Sequence, residues 1–336
     1  MKAYLFLNFF FCCFISLAFG FTNPIKTGSD PQIVYHGGMY YLTSTTWTDV
    51  RITAASTIDG LKTAESVVIW SDVSNPDRAC NFWAPEIHKV GGRWHVYFTA
   101  SKCDPDWGVV LPTLRVYVLE GGLEHPLSSD YRLLDSIVPP NYNGGMLDAT
   151  LFDIADTRYL LKFSSVNGPE SPDGASLWIA ELLSAVTCGN ATMIAAPEYE
   201  WEKEDSAVLE GPYGINSPSG TTMVVYSADS CSTPAYKLGV MTLTAGGDPL
   251  QRASWVKSSE PIFETKNGLY GPGHNAFFKS PDGKEDWQVF HANLVATDGC
   301  GPSRKTFIQP VSWKGDQIDL GDPLPVDTEI NPPSGE

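Results

Sequence analysis

Basic residues are scarce in this chain of 336 residues, with 22 Lys and Arg against 39 Asp and Glu. The formal net charge of −17 would repel nucleic acid, anionic membranes and polyanionic polysaccharides, and no basic run offsets it. We therefore expect no nucleic-acid or membrane partner. A neutral ligand suits this surface better, and the aromatic content of 12% is compatible with binding the faces of sugars.

Long apolar runs are absent after the first twenty residues, so no later segment is expected to span a membrane. Residues 1–20 combine a weakly basic start, an apolar stretch over residues 5–19 and small residues at Ala18 and Gly20. This pattern predicts a signal peptide, and hence a secreted, extracellular protein that begins at Phe21. A membrane anchor is the alternative, but the run is short and no basic stop follows it.

Cysteines in a CxxC pattern are absent too, so a thiolate metal site or a redox centre is not expected. Secretion predicts two disulfides and one free thiol among the five cysteines that remain after the signal peptide. The most local pairings are Cys80 with Cys103 and Cys188 with Cys231, although the sequence does not fix the connectivity.

Helical periodicity is almost absent, and a different repeat takes its place. Five times, an ionisable residue leads into an apolar stretch, a turn rich in Gly, Pro or Asp, and an aromatic-rich stretch. Such paired stretches predict β-hairpins. The lead residues are Asp30, Glu86, Asp148, Glu210 and His274, which are spaced by 56, 62, 62 and 64 positions.

This steady spacing predicts an all-β protein, a five-bladed β-propeller over residues 21–330. A period of roughly 60 residues fits a four-stranded blade with long loops. The innermost strands of a propeller line a central channel, so the five leads would meet at one of its mouths. We expect residues 23–25 to close the ring against the last blade, and residues 331–336 to form a disordered tail. A β-sandwich is the alternative, but it does not explain the interval.

Four carboxylates and one imidazole in a single pocket would repel one another unless function or a bound cation offset the cost. Hydrolysis of a glycosidic bond needs two carboxylates on opposite sides of that bond. One ionised carboxylate activates water, and one protonated carboxyl protonates the leaving oxygen. A third carboxylate nearby would raise the pKa of the acid. Asp30, Asp148 and Glu210 can supply these three groups.

Six motifs, taken together, resemble glycoside hydrolase family 43. They follow the order and spacing of that family over nearly all of residues 21–330, and only their combination is specific. One departure is Ala149, where the family often has Gly after the middle Asp. The motifs are Asn23-Pro24-Ile25, Ser29-Asp30-Pro31, Trp83-Ala84-Pro85-Glu86, Leu147-Asp148-Ala149-Thr150-Leu151-Phe152, Glu210-Gly211-Pro212 and Gly273-His274-Asn275.

The resemblance implies a five-bladed propeller and a single-displacement mechanism that inverts the anomeric configuration. By the family pattern, Asp30 would be the general base and Glu210 the general acid. Asp148 would tune the pKa of the acid and orient it. The resemblance also places Arg304 where it would reach the terminal sugar and Asp148.

Other residues are expected to shape the pocket. We expect Phe82, Trp83 and Tyr213 to bind the sugar, with a core position as the close alternative for Trp83. Glu86 is expected to be structural, its carboxylate satisfied by backbone donors, because no third proton-transfer role is open. His274 is either simply hydrogen-bonded or, as the resemblance implies for some members, linked through water to calcium or another cation. The chemistry itself requires no cofactor.

Residues 271–292 look most like the arabinofuranosidase branches of the family. We therefore expect a monomeric α-L-arabinofuranosidase acting on terminal arabinofuranose of plant cell-wall arabinan or arabinoxylan. Endo-1,5-α-L-arabinanase and β-xylosidase are the alternatives within the family, and a non-catalytic carbohydrate-binding propeller is the alternative from another class. Lectin propellers repeat nearly identical sites, whereas these five leads differ, which favours a single catalytic site.

Overall fold

Five antiparallel sheets follow one another along the computed structural model, which describes residues 20–154, 158–168 and 171–336. Blade 1 contains strands Ser29–His36, Met39–Thr45, Val50–Ala55 and Ser66–Trp70; blade 2 contains Cys80–Val90, Arg93–Ser101, Arg115–Glu120 and Arg132–Ile137. Blade 3 contains Gly145–Ile154, Arg158–Gly168 and Ser171–Ser184, the last paired with Thr187–Cys188 and Thr192–Ala195. Blade 4 contains Leu209–Asn216, Thr222–Ala228, Lys237–Leu243 and Trp255–Lys257; blade 5 contains Tyr270–Lys279, Asp286–Asn293, Lys305–Lys314 and Gln317–Asp319.

Helical segments among these residues are short. One α-helix covers Trp107–Val110, and 3-10 turns cover Asp59–Lys62, Leu111–Thr113, Glu200–Glu202 and Arg252–Ser254. No helix in the described part of the chain is long and apolar enough to cross a membrane.

The first hairpins of blades 1 and 2 turn on glycine pairs, as the sequence predicts. Gly37 and Gly38 have φ of 59° and 82°, and Gly91 and Gly92 have φ of 58° and 81°. A two-residue hairpin turn needs positive φ at both central positions, which glycine adopts without steric cost. The turn expected at Asp156 and Thr157 in blade 3 lies outside the described residues.

The hydrophobic core is divided into five clusters, one between each pair of neighbouring blades. Between blades 1 and 2, for example, Ile52 packs in one cluster with the stacked rings of Phe82 and Phe98. The first strands of successive blades contact each other around the axis, including those of blades 5 and 1. The predicted five-bladed β-propeller is therefore confirmed.

The ring closes through the N-terminal segment, as predicted. Strand Lys26–Thr27 pairs with Lys305–Lys314 and so takes the outer position in blade 5. The Asn23 side chain extends the pairing, since its amide donates to the Ile308 carbonyl at 2.7 Å and accepts from the Ile308 N–H at 3.0 Å. A further two-stranded sheet joins Phe21–Thr22 to Glu329–Ile330.

The C-terminal residues do not behave as the disordered tail that the sequence predicts. The N–H of Ile58 donates to the Glu336 carboxylate at 2.9 Å, and the N–H of Ser334 donates to Glu285 at 2.9 Å. Hydrogen bonds to polar side chains thus hold the C-terminal residues in place, although these residues have little apolar surface. At the other end, the predicted signal peptide lies outside the described residues, except for Gly20.

One predicted disulfide is confirmed and the other is wrong. Cys80 pairs with Cys103, but Cys231 pairs with Cys300 across 69 residues, and Cys188 is a buried free thiol. Cys188 packs in the core cluster between blades 2 and 3. Sequence distance is a poor guide here because the propeller brings loops of neighbouring blades together.

Candidate active site

A β-bulge interrupts the innermost strand of every blade at the same level of the channel. A bulge puts two residues opposite one and re-aims the first side chain. All five first residues adopt positive φ, at a strain of about 1–3 kcal/mol for each one that is not glycine. They are Asp30 (53°), Ala84 (43°), Asp148 (54°), Gly211 (53°) and His274 (45°).

The bulges show that two of the five predicted lead residues, Glu86 and Glu210, do not occupy the position equivalent to Asp30. In blade 2 the equivalent position holds Ala84, so Glu86 lies two residues further along its strand and does not line the cavity described below. Its carboxylate contacts His88 Nε2 at 2.7 Å, rather than the predicted backbone donors. In blade 4, Glu210 precedes the bulge, and Gly211 occupies the equivalent position. The site therefore contains three carboxylates and His274.

The bulged amides are satisfied by the neighbouring blade. A bulge removes its N–H from the strand ladder, and a buried N–H without a partner is costly. Four of the five amides donate to a side chain on the second strand of the preceding blade: Asp30 to His291 Nδ1 (3.1 Å), Ala84 to Thr45 (2.8 Å), Asp148 to Thr99 (3.3 Å) and His274 to Ser227 (2.7 Å). The fifth, from Gly211, donates to the Asp148 carboxylate at 3.0 Å. These bonds fix the strained residues and the blades relative to each other.

The three carboxylates and His274 share one cavity of about 480 Å³ at this mouth of the channel. Its wall is partly aromatic and partly apolar. It is lined by Trp47, Trp83, Trp107, Leu111, Leu114, Leu147, Ala175 and Val208, with Arg304 and the Cys231–Cys300 disulfide on the side of blades 4 and 5.

Asp30 is nearly buried and surrounded by cationic and hydrogen-bonding groups. Its Oδ1 lies 3.3 Å from Arg304 Nη1, 3.2 Å from His291 Nδ1 and 3.4 Å from His274 Nδ1. Its Oδ2 accepts from the Thr45 hydroxyl at 2.6 Å. Burial by itself would raise the pKa of Asp30, but Arg304 and the two imidazoles hold it well below the usual range. Asp30 is therefore ionised at neutral pH.

The pKa values of Glu210 and Asp148 are shifted in the opposite direction from that of Asp30. Burial is the largest cause that raises the pKa of both groups, with Asp30 adding repulsion. Repulsion from Glu210 contributes further to Asp148, whose pKa rises to about 7, while His274 opposes both shifts. Glu210 Oε1 accepts from the Tyr236 hydroxyl at 2.7 Å. Repulsion between the two carboxyls disfavours the state in which both are ionised.

His274 lies among all three carboxylates. Burial would lower its pKa, but Asp148, Asp30 and Glu210 together raise it. Its ring packs on Gly211, where an added Cβ would lie 3.0 Å from His274 Cγ, so a larger residue would displace the imidazole. Among the described residues no three His, Cys, Asp or Glu side chains are placed to bind a metal directly. A protonated His274 supplies positive charge to the site itself.

Arg304 is held in place by the loop that carries Cys300. Its guanidinium donates to the carbonyls of Cys300 at 3.1 Å and Gly301 at 3.3 Å, as well as to Asp30. The Cys231–Cys300 disulfide ties this loop to the blade 4 loop that precedes Tyr236. The family resemblance implied a contact between Arg304 and Asp148. The guanidinium instead contacts Asp30, so its charge acts on the ionised carboxylate.

Replacing Cys231 and Cys300 together by Ser is expected to move the acid limb of the activity profile to higher pH. A loosened Arg304 would no longer hold down the pKa of Asp30, so protonation would remove the base form at a higher pH. The pH dependence of kcat/KM measures this shift. The matched control is removal of the Cys80–Cys103 disulfide, which should lower the melting temperature without moving the acid limb. If the acid limb lies at the same pH in both disulfide variants, the loop that carries Cys300 does not control the pKa of Asp30.

Comparison with known proteins agrees with this architecture. Residues 21–318 match the sequence profile of glycosyl hydrolases family 43. The chain belongs to that family. An extracellular exo-α-(1→5)-L-arabinofuranosidase of Streptomyces avermitilis is 36% identical over 88% of this chain and 62% of its own length. Alpha-L-arabinofuranosidase 43 of Humicola insolens is 34% identical over 94% of this chain and 66% of its own.

Among solved structures, an α-L-arabinofuranosidase from Lactobacillus brevis superposes with a TM-score of 0.84 and is 30% identical, covering 92% of this chain and 98% of that one. A thermostable family-43 glycoside hydrolase shares the fold at a TM-score of 0.78 and 20% identity. This chain spans slightly less than two thirds of the length of the Streptomyces avermitilis and Humicola insolens relatives.

Two residues that were expected to bind sugar lie elsewhere in this family-43 chain. Phe82 is 1% exposed and stacks on Phe98 in the core, because adjacent strand residues point to opposite faces and Trp83 takes the cavity side. Tyr213 follows the bulge of blade 4 and lines a different cavity, where its hydroxyl lies 3.4 Å from the Gln32 side chain. Trp83 does line the site.

Four residues of the site were missed by the sequence reasoning. Trp47 and Trp107 line the cavity from loops whose paths the sequence does not give. Tyr236 holds Glu210 and stacks on His291, with the ring planes 7° apart. His291 had a detectable signal, since it occupies the same second-strand position as Thr45, and both serve a bulged amide.

Proposed function

We propose that this chain is an exo-acting, inverting α-L-arabinofuranosidase that removes terminal α-L-arabinofuranose from arabinan or arabinoxylan. The observation that carries the proposal is electrostatic. One cavity combines a carboxylate whose pKa is lowered, Asp30, with a carboxyl whose pKa is raised, Glu210. Family membership favours catalysis over a carbohydrate-binding role, and the activities for which the relatives are named support arabinofuranose as the sugar.

Asp30 acts as the general base. Its low pKa keeps it ionised, and it removes a proton from the water that attacks the anomeric carbon. A weak base is sufficient when attack and departure occur in one displacement with oxocarbenium character. Thr45 and Arg304 fix the carboxylate so that one oxygen can face the water.

Glu210 acts as the general acid and donates its proton to the leaving glycosidic oxygen. The raised pKa keeps it protonated at a pH where an exposed Glu would be ionised. Asp148 accepts from the amide of Gly211, the residue next to Glu210, and its carboxyl repels that of Glu210 when both are ionised. It therefore tunes the acid and fixes the backbone that carries it. The product is formed with the β configuration.

Exo action agrees better with the size of the cavity than endo action does. A cavity of about 480 Å³ suits a small ligand rather than a long stretch of polymer. Relatives named probable arabinan endo-1,5-α-L-arabinosidase A are only 22–25% identical to this chain. Endo-arabinanase is therefore the second candidate within the family.

The setting we propose is extracellular, on neutral plant cell-wall polysaccharide, with a monomeric protein. The Streptomyces relatives are named extracellular, and residues 1–20 have the pattern of a signal peptide. The net charge of −17 disfavours acidic polysaccharides as substrates.

Product analysis tests the proposal. The protein is incubated with linear arabinan and with nitrophenyl α-L-arabinofuranoside, and we expect arabinose from both. Oligosaccharides as first products from arabinan would establish endo action instead, and release of sugar only from xylosides would favour a xylosidase. Proton NMR of the first-formed anomer should show the β form. An α product would reject single displacement.

A cation linked through water to His274 remains a prediction. Chelation followed by re-addition of Ca²⁺ is the test, read out by melting temperature and by kcat. If a cation binds through water, removing it should lower both values, and Ca²⁺ should restore them. Unchanged values after chelation would reject a cation at this position.

A further inference from the structure

We propose that Trp107 forms a platform for the leaving-side sugars of the substrate, at the rim of the cavity. This inference rests on the proposed function. Trp107 begins the short helix Trp107–Val110, and its side chain is 52% exposed although it lines the cavity. Its indole stacks on Trp83, with ring centroids 5.9 Å apart and planes 26° apart.

The loop that carries Trp107 is fixed rather than loose. The Cys80–Cys103 disulfide anchors its start to the first strand of blade 2. Asp106 caps the helix, accepting from the Gly108 N–H at 2.8 Å. The face of Trp107 is thus presented without the need to order a flexible segment on binding, which is the usual cost of a loop contact.

A single exposed aromatic is common on protein surfaces and would not define a site. The second observation is a pair of unsatisfied donors in the same wall. Trp47 packs edge-on against Trp83 at 5.6 Å, and neither indole N–H has a partner among the described residues, although both are buried. Buried N–H groups are normally paired. Hydroxyl groups of a bound sugar would satisfy them.

The position of Trp107 separates it from the chemistry. The carboxylates lie on the innermost strands at the mouth of the channel, whereas Trp107 also borders an outer hollow lined by Asn81, Asp104 and Pro105. A chain whose terminal arabinose reaches the carboxylates would therefore pass over Trp107 on its way out. The C–H face of a furanose can cover the exposed indole, and ring contacts of this kind are worth about tenfold in affinity.

The test compares substrates with and without leaving-side sugars. Trp107→Ala is expected to lower kcat/KM for α-1,5-linked arabinotriose about tenfold, mainly through KM, and to change that for methyl α-L-arabinofuranoside less than about twofold. Trp107→Phe, which keeps a ring, should recover most of the loss. Val109→Ala is the matched control, since Val109 is 45% exposed on the same helix and does not line the cavity.

A loss of packing on Trp83 is distinguished by Trp107→Leu, which retains apolar cover without a flat face. We expect it to keep the wild-type melting temperature and to show the raised KM for arabinotriose. Equal losses on both substrates, or no loss on either, would overturn the platform. Failure of the wild-type protein to hydrolyse either arabinoside would instead reject the proposed function.

Discussion

Replacing Glu210 by Gln, or Asp30 by Asn, is expected to lower kcat/KM on arabino-oligosaccharides roughly 10³-fold, because each change removes a proton-transfer group. The two variants should differ on activated substrates. A nitrophenolate leaves without protonation, so the Glu210 variant should retain much of its activity on the nitrophenyl glycoside. The Asp30 variant should lose activity on both substrates, because attack by water still needs the base. Steady-state kinetics on the two substrate types measure this contrast.

Glu86→Gln is the matched control for both variants. Glu86 is a buried carboxylate on the innermost strand of blade 2, but it contacts His88 and does not line the cavity. Its replacement should leave kcat/KM near the wild-type value, even if the melting temperature falls. A Glu86 variant as impaired as the Glu210 variant would contradict the assignment. So would nitrophenyl activity that survives in the Asp30 variant and is lost in the Glu210 variant.

The architecture was predictable because each repeat consists of residues whose local conformational preferences favour a β-hairpin. Hairpin turns such as Gly37-Gly38 need residues that tolerate positive φ, and strands favour β-branched and aromatic residues. Five such units at a steady interval are compatible with few folds. Asp30, Asp148 and His274 were found because they occupy equivalent bulge positions in their blades.

The local register was not predictable. Whether Ala84 or Glu86 takes the position equivalent to Asp30 depends on where the bulge falls, and the residue pattern around Pro85 does not show this. For the same reason Phe82 was assigned to the pocket beside Trp83, although a shift of one residue along a strand reverses the face. The error with Cys188 arose from long-range loop proximity, which only the closed ring specifies.

The strained positions predict that the site tolerates little change in its backbone. Asp30 and Asp148 have left-handed φ, a conformation that non-glycine residues rarely adopt, and amide bonds from the neighbouring blade hold them there. The propeller thus provides more than a scaffold. Its interblade hydrogen bonds direct the side chains whose unequal pKa values divide the base from the acid.

Replacing Asp148 by Asn is expected to move the alkaline limb of the pH profile of kcat/KM to lower pH. In the wild-type protein, burial and repulsion from Asp30 raise the pKa of Glu210, and repulsion between Glu210 and Asp148 disfavours the state in which both are ionised, so activity should fall on the alkaline side once the acid loses its proton. Without the charge of residue 148, the pKa of Glu210 falls and the acid form is lost at lower pH.

The same variant is expected to lose about 10²-fold in kcat at its optimum, because the acid is then less well matched to the leaving oxygen. An amide oxygen at position 148 can still accept from the Gly211 N–H, so the backbone that carries Glu210 should stay in place. Tyr236→Phe separates pKa tuning from positioning. The Tyr236 hydroxyl lowers the pKa of Glu210, so its loss should move the alkaline limb upward. The alkaline limb could instead shift in the same direction in the Asp148 and Tyr236 variants, or not shift at all. Either result would show that Asp148 acts on catalysis in some way other than by raising the pKa of the acid.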